Sequence, residues 1–265
     1  MSAVYSVKEI YIYPIKSLAG ISLESAKAEE MGFENDRRWM LIDAENQMLT
    51  QREHRIMSQF YPQISNGKIT ITFQDQKHEF SINEHLENAI EVNVWDDKSE
   101  VVEVNRETSK WFSQHLGFEC KLVKILRNGA RKHESSRLKE TFNVSLADGY
   151  PYLLIGTESL DFLNEKLDEK ITIKRFRPNL VVSTENPHEE DDFTTFTIGD
   201  VQFKNIKPCG RCVMVNNDPE NGSLKKEPLK TLSKYRNVDN SVLFGTNIVS
   251  LNSGIINVGD EVIFS

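Results

Sequence analysis

Apolar and polar positions alternate with period two through most of the first hundred residues. The pattern runs through VYSVKEIYIY, KITITF, IEVNVW and EVVEV, each bounded by Gly, Asn, Asp or Pro. It predicts half-buried strands and so a β-rich N-terminal unit. Near Asn105 the period lengthens: in RETSKWFSQHLG, Trp111, Phe112 and Leu116 share one helical face, and Gly117 supplies a terminator. A boundary is placed there, dividing the chain into units 1–105 and 106–265. TESLDFLNEKL predicts a second helix, with Thr157 as N-cap, Glu158 in the first turn and Leu160, Leu163 and Leu167 on one face. From Leu180 short strands return as LVVS, FTIGDVQF, CVMVN, FGTNIVSL and IINVGDEVIF, the last turning at Gly259 and Asp260. Many short strands with few helices predict a mainly β (α+β) chain, built around barrels rather than a parallel sheet.

Length and charge narrow the field. A chain of 265 residues is long enough for a sizeable core without covalent staples. Its net charge of -8 argues against nucleic acid as a partner, because neutralising phosphates needs a surplus of clustered Lys and Arg. The acidic run HEEDD, His188 to Asp192, reads as a solvated loop. The N-terminus has no basic segment followed by an apolar run, and no apolar stretch reaches spanning length, so no membrane anchor is expected. Cysteine is scarce and odd in number (Cys120, Cys209, Cys212), which suits a reducing compartment and makes the cytoplasm the expected location. There is no G-x-G-x-x-G after a strand, no P-loop, no H-E-x-x-H and no repeat.

Two of the three cysteines stand together in FKNIKPCGRCVMVN, spaced Cys-x-x-Cys. Structural zinc needs four ligands, yet the six histidines are scattered singly. A thioredoxin-type pair wants its first Cys at a helix N-terminus, whereas these flanks read as strand, loop, strand. A single thiolate could instead ligate a soft metal that brings its other sulfur ligands with an organic cofactor, and Arg211 beside the pair would favour an anionic sulfur. Two small buried residues at a strand start would show the same spacing. The spacing alone leaves these readings open.

The wider sequence adds YPIKSLAG (Tyr13 to Gly20), DRRWMLID (Asp36 to Asp43), TQRE (Thr50 to Glu53), FRPNLVV (Phe176 to Val182), PCGRC (Pro208 to Cys212) and NNDPENG followed by KEPLKTL. In this order and rough spacing they make the chain resemble the MOSC family, in the two-part form with an N-terminal β-barrel domain, and it is similar to the amidoxime-reducing members. The resemblance covers nearly the whole chain and implies a MOSC β-barrel domain with a few helices after the first barrel. It also implies a molybdenum cofactor, a molybdopterin whose dithiolene gives the metal two sulfurs, with Cys212 as the protein ligand and catalytic centre. Cys209 then becomes a neighbour, not a disulfide partner. The cofactor-binding residues implied by matching positions are Lys16, Ser17, Arg37, Arg52, Asp148, Thr157, Arg177 and Asn179. A cation and a hydroxyl at Lys16 and Ser17 suit phosphate oxygens, Arg37 adds a second cation, and Arg177 with Asn179 offers a guanidinium and an amide to the pterin edge. If DRRW is a strand, Arg38 points away from Arg37. Gly149 and Tyr150 depart from the family pattern, replacing small hydroxyl residues after Asp148.

The function implied by the resemblance is reduction of small N-hydroxylated compounds: amidoximes, hydroxylamines and N-hydroxylated bases. With no nucleotide fingerprint and too few cysteines for a Cys-ligated iron-sulfur cluster, the chain would take electrons from a separate redox protein. The alternative is a molybdenum cofactor or sulfur carrier without turnover, since MOSC domains also end cofactor sulfurases. The chain is too short to include their pyridoxal-phosphate domain as well.

Overall fold

The computed structural model describes residues 5–95, 97–126, 131–134 and 140–264. The chain is mainly β. Helices are α1 (Arg106–Leu116), α2 (Thr157–Asn164) and the single turn α3 (Leu229–Leu232), with short 3-10 segments between strands. The largest sheet follows the order Ile21–Leu23, Val7–Ile12, Leu180–Val182, Tyr152–Gly156, Ser241–Ser250, Val201–Arg211, Thr195–Ile198, Val262–Phe264. The start of Val7–Ile12, second in that order, also meets the last strand: Ser6 bridges to Glu261, Val7 N donates to Asp260 O at 2.9 Å, and Val262 N donates to Tyr5 O at 2.8 Å. The sheet thereby closes into a barrel and removes an edge that would otherwise expose unpaired backbone. Inside it lie Val7, Ile10, Leu154, Leu180, Val182, Phe196, Ile198, Val201, Phe203 and Ile248. Phe196 with Ile198, and Val201 with Phe203, show the period-two burial that their sequence pattern predicts. Tyr152–Gly156 and Leu180–Val182 run parallel, and α2 lies in the long connection such a pair requires.

The second body of strands holds the sheet Trp39–Asp43, Cys120–Ile125, Asp97–Glu103, Ala89–Val94 and the meander Tyr61–Ser65, Lys68–Phe73, Gln76–Ser81. Helix α1 begins where Asn105 accepts a hydrogen bond from Thr108 N at 2.7 Å and ends at Gly117, left-handed at φ 83°. Its Phe112 is buried with Trp39, Leu41, Phe60, Phe73, Cys120 and Leu122. The strand Val7–Ile12 therefore pairs with residues from the far half of the chain, while α1 and Cys120–Ile125 pack with the near half.

Three local expectations change. CVMVN is not a strand: Val201–Arg211 ends before Cys212, and Val213–Asn216 is a 3-10 turn. The N-cap of α2 is Gly156, with Thr157 as its first helical residue, and the helix stops at Asn164, short of Leu167. HEEDD is not wholly solvated. Glu190 is 0% exposed and accepts hydrogen bonds from the Ser159 hydroxyl at 2.7 and 2.8 Å. The acidic loop folds against Gly156, where a Cβ would come within 2.8 Å of Glu190 Oε2 and 2.6 Å of Thr184 Oγ1.

Candidate active site

A cavity opens where the barrel meets the Trp39–Asp43 sheet, and its floor is built from residues far apart in the chain. The residues after the strand Val7–Ile12 run beside Trp39, so that Lys16 N donates to Trp39 O at 2.7 Å. Asp36, fully buried, accepts from Tyr13 N at 2.7 Å and from Asn179 Nδ2 at 3.1 Å, and pairs with the Arg37 guanidinium. Arg37 NH1 also donates to Asn179 Oδ1 at 3.0 Å, and its NH2 donates to Arg177 O at 3.2 Å. Asn179 Oδ1 further accepts from Leu153 N at 3.2 Å, and Nδ2 donates to Tyr11 O at 3.2 Å. Both amide protons and both lone pairs of Asn179 are thus engaged inside the protein, so the side chain holds Arg37 in place and has no capacity left for a pterin edge.

Arg37 and Arg177 both lie over the Tyr13 ring, their Cζ atoms 4.6 and 4.1 Å from its centroid. Burial holds the Tyr13 phenol well above its ordinary range, although both guanidiniums pull the other way. Burial also pushes Arg177 down to about 10, leaving it charged at neutral pH. Arg37 and Arg177 reach the cavity from left-handed backbone, φ 50° and 55°, rather than from strands. Arg38 does turn away, pairing with Glu29 at 3.2 Å, because the backbone reverses at Arg37 before Trp39–Asp43 begins.

Lys16 forms the next wall. Its Nζ donates to Leu146 O at 2.9 Å and pairs with Asp148. Burial pushes the Lys16 ammonium below its ordinary range and Asp148 opposes that shift. Burial alone would raise the Asp148 carboxyl, but Lys16, the Trp95 indole N–H and Arg52 outweigh it and hold the group ionised, below the carboxylate range. Trp95 Nε1 donates to Asp148 Oδ1 at 3.1 Å, and the Arg52 guanidinium lies 4.1 Å from the Trp95 ring centroid. Ser17, left-handed at φ 68°, and Tyr150 complete this side.

Both cysteines of the pair are half-buried and each meets a guanidinium. Arg211 NH1 donates to Cys209 Sγ at 3.2 Å, two residues along the same strand face. Arg52 Nε donates to Cys212 Sγ at 3.4 Å from the opposite wall. Cys209 lines the cavity directly; Cys212, just past the strand end, connects to it through Arg52. All three cysteines are free. Among the described residues no three His, Cys, Asp or Glu side chains converge to hold a metal, so a closed zinc site would lack ligands.

The structure thus brings together Lys16, Ser17, Arg37, Arg52, Asp148, Arg177 and Asn179 around one cavity, with Cys212 beside it. Thr157 stands apart: its hydroxyl accepts from Thr184 N at 3.4 Å and does not line the cavity. Sequence reasoning left Trp95, Tyr13 and Asp36 without roles, although Tyr13 and Asp36 stand inside the quoted motifs and Trp95 ends an alternating strand.

The local charge suits an anionic group. Lys16, Arg37, Arg52, Arg177 and Arg211 surround the cavity against Asp36 and Asp148, in a chain whose net charge is -8. Among the described residues Arg211 Nε is buried without a hydrogen-bond partner, on a side chain that lines the same cavity. A phosphate-bearing pterin fits this donor set, and a metal with its own sulfur ligands would need only one protein thiolate.

Comparison with known proteins gives a consistent picture. The MOSC N-terminal beta barrel domain matches residues 4–119 and the MOSC domain matches residues 141–263. A molybdenum cofactor sulfurase of Arabidopsis thaliana is 31% identical over 97% of this chain, which spans only 35% of that protein. Mitochondrial amidoxime-reducing component 1 of Mus musculus is 30% identical over 99% of this chain and 83% of the relative. The Homo sapiens protein of that name is 28% identical with the same two coverages.

Proposed function

The chain belongs to the MOSC family in its two-part form, and from that premise we propose that it is a molybdenum cofactor-dependent reductase of small N-hydroxylated compounds. The observation that carries this reading is the cation-rich cavity whose Arg52 also reaches the Cys212 sulfur. In the proposal Lys16, Ser17, Arg37 and Arg177 hold the pterin phosphate, and Cys212 ligates the metal. Asn179 and Asp36 fix the direction of Arg37, and Arg52 and Asp148 form the rim. Thr157 takes no part. When bound, the cofactor supplies the two-electron chemistry that removes oxygen from nitrogen. Asp148, held ionised by Lys16, orients its neighbours and does not donate a proton. Tyr13 keeps its proton and spaces the two guanidiniums.

Electrons come from a separate redox protein, because the sequence has no nucleotide-binding turn and its cysteines are too few for a cluster. The three free cysteines suit a reducing compartment, and we place the protein in the cytoplasm. Among the described residues no helix is long and apolar enough to cross a membrane. The test is metal and pterin analysis of purified protein, followed by benzamidoxime reduction with reduced viologen. Turnover with a full complement of metal supports the reductase. Full metal and pterin without turnover selects the cofactor carrier, the reading favoured by the sulfurase relative.

A further inference from the structure

We propose that Trp95 is the substrate platform of this cavity and that it selects flat, aromatic N-hydroxylated compounds over small non-aromatic ones; this rests on the reductase reading above. The argument begins with a local rule that the sequence breaks. Val94 pairs with Asp97, so the chain enters a tight hairpin turn at Trp95. Such loops favour Asn, Asp or Gly at that position because the backbone must adopt positive φ. Trp95 does so at φ 59°, a conformation in which a bulky residue is out of place. Strain of this kind persists where surrounding contacts over-determine it, and those contacts point to a use.

The contacts all lead into the cavity. The Trp95 N–H is committed to Asp148, and the Arg52 guanidinium stacks on the ring. Arg131, 2% exposed, pins the hairpin by pairing with Asp97 and donating to Ala147 O, next to Asp148. Arg52 in turn donates to Cys212 Sγ at 3.4 Å. Indole, guanidinium and sulfur therefore form one unbroken path from the cavity mouth to the proposed metal ligand. The buried end of the cavity is polar and cationic, whereas the Trp95 side chain lines the mouth and remains 43% exposed. A planar substrate can lay its ring on the indole face that Arg52 leaves open, with its N-hydroxy group turned past the ring edge into the cavity, since aromatic faces stack with offset geometry on exposed indoles. A compound without a π face gains nothing from the platform.

The test compares the cofactor-loaded wild type with Trp95→Leu, which removes the ring, and Trp95→Phe, which keeps a ring but no N–H, all at equal pterin content. Benzamidoxime and hydroxylamine are reduced with viologen as donor. Trp95→Leu should raise the KM for benzamidoxime about tenfold, the order expected for one lost aromatic stack. Hydroxylamine KM should stay within about twofold, and Trp95→Phe should recover most of the benzamidoxime value. Equal changes for both substrates, or none for either, would overturn the proposal. Equilibrium binding of benzamidoxime, read by calorimetry, separates this failure from that of the reductase reading. A roughly tenfold weaker Kd in Trp95→Leu without turnover in any form keeps the platform and removes the reductase. Unchanged Kd removes the platform, whatever the turnover.

Discussion

The floor of the cavity and the cluster around Glu190 occupy opposite ends of the same parallel strand pair, Tyr152–Gly156 and Leu180–Val182, yet they are built on opposite principles. At one end Asn179 N donates to Leu153 O, and Asp36, Arg37, Tyr13 and Arg177 gather there with more positive than negative charge, open to a cavity. At the other end Thr184 faces Gly156, and Glu190, Ser159, His188, Asp191, Tyr235 and Arg236 form a group in which Arg236 pairs with Asp191. Among the described residues both ring nitrogens of His188, the Tyr235 hydroxyl and Asp191 Oδ1 are buried there without partners. The open cluster satisfies its amides and keeps a cation surplus for something else to neutralise. Buried polar atoms stand without partners in both clusters among the described residues, Tyr13 OH and Arg211 Nε in the open one, but the closed cluster pairs its charge internally and lines none of the cavities described, so its effects should fall on stability. Burial alone does not mark a functional site; surplus charge facing an opening does.

The largest effect that could break this contrast lies at the cysteines. Cys212→Ser should abolish benzamidoxime reduction, while Cys209→Ser, whose sulfur lies against Arg211 and Gly210 O, should retain a substantial fraction. Equal loss in both variants would point to a dithiol site instead. Next come the cations of the open cluster. Arg37→Ala, Arg177→Ala or Lys16→Ala each removes a charge-assisted contact of about 1.5–3 kcal/mol. Cofactor affinity should then fall by roughly ten- to a hundredfold, read as pterin content per folded protein, with a smaller change in Tm.

At the closed cluster the expected effects are smaller and move only Tm. Burial raises the Glu190 carboxyl above its ordinary value of 4.5, with the Ser159 hydroxyl opposing. A raised acid stabilises the fold below its unfolded pKa and loses that contribution as pH rises through the folded value. Glu190→Gln should therefore leave Tm unchanged or higher at pH 8, lose that advantage at pH 4, and keep wild-type pterin content. His188 has the opposite slope. Burial, with Arg236 adding to it, pushes its imidazole down from 6.5 to about 4. The folded state keeps it neutral while the unfolded chain protonates, so stability present above about pH 6.5 is lost as pH falls toward 4. His188→Gln should flatten the Tm profile in that window. A change in cofactor content in either variant would erase the distinction between the two ends.

Much of the β framework was legible because period-two burial is a local property. KITITF forms Lys68–Phe73, RETSKWFSQHL forms α1 with its left-handed Gly117, and the Gly259–Asp260 turn lies where the composition places it. Legibility failed where a short apolar run could be satisfied in more than one way. Val213–Asn216 alternates less clearly than it appears in letters, and the strand before it ends at Arg211, after register shifts on either side of Lys207 and Pro208. Charge was misread at HEEDD because composition reports the cost of burying a carboxylate, not the Ser159 hydroxyl that offsets it. The motifs named most of the cavity residues, yet Asn179 illustrates their limit: the residue is present, but the number of bonds it already makes decides what it can do.

The sequence by itself determined the strand and helix periods, the Gly117 terminator of α1, the scarcity of cysteine and the order of family motifs, since each depends on neighbours within a window of a few residues. Only the tertiary structure decided that Tyr5 and Val7 close the barrel against Val262 and Asp260, and that Arg37 meets Asn179 across 142 residues. It likewise decided that Arg52 reaches Cys212 across 160 residues, while Trp95 stacks on that same Arg52. A period shows which face of an element is buried but not which element buries it; partner choice is set by packing the whole chain at once, where long-range pairs must be satisfied together.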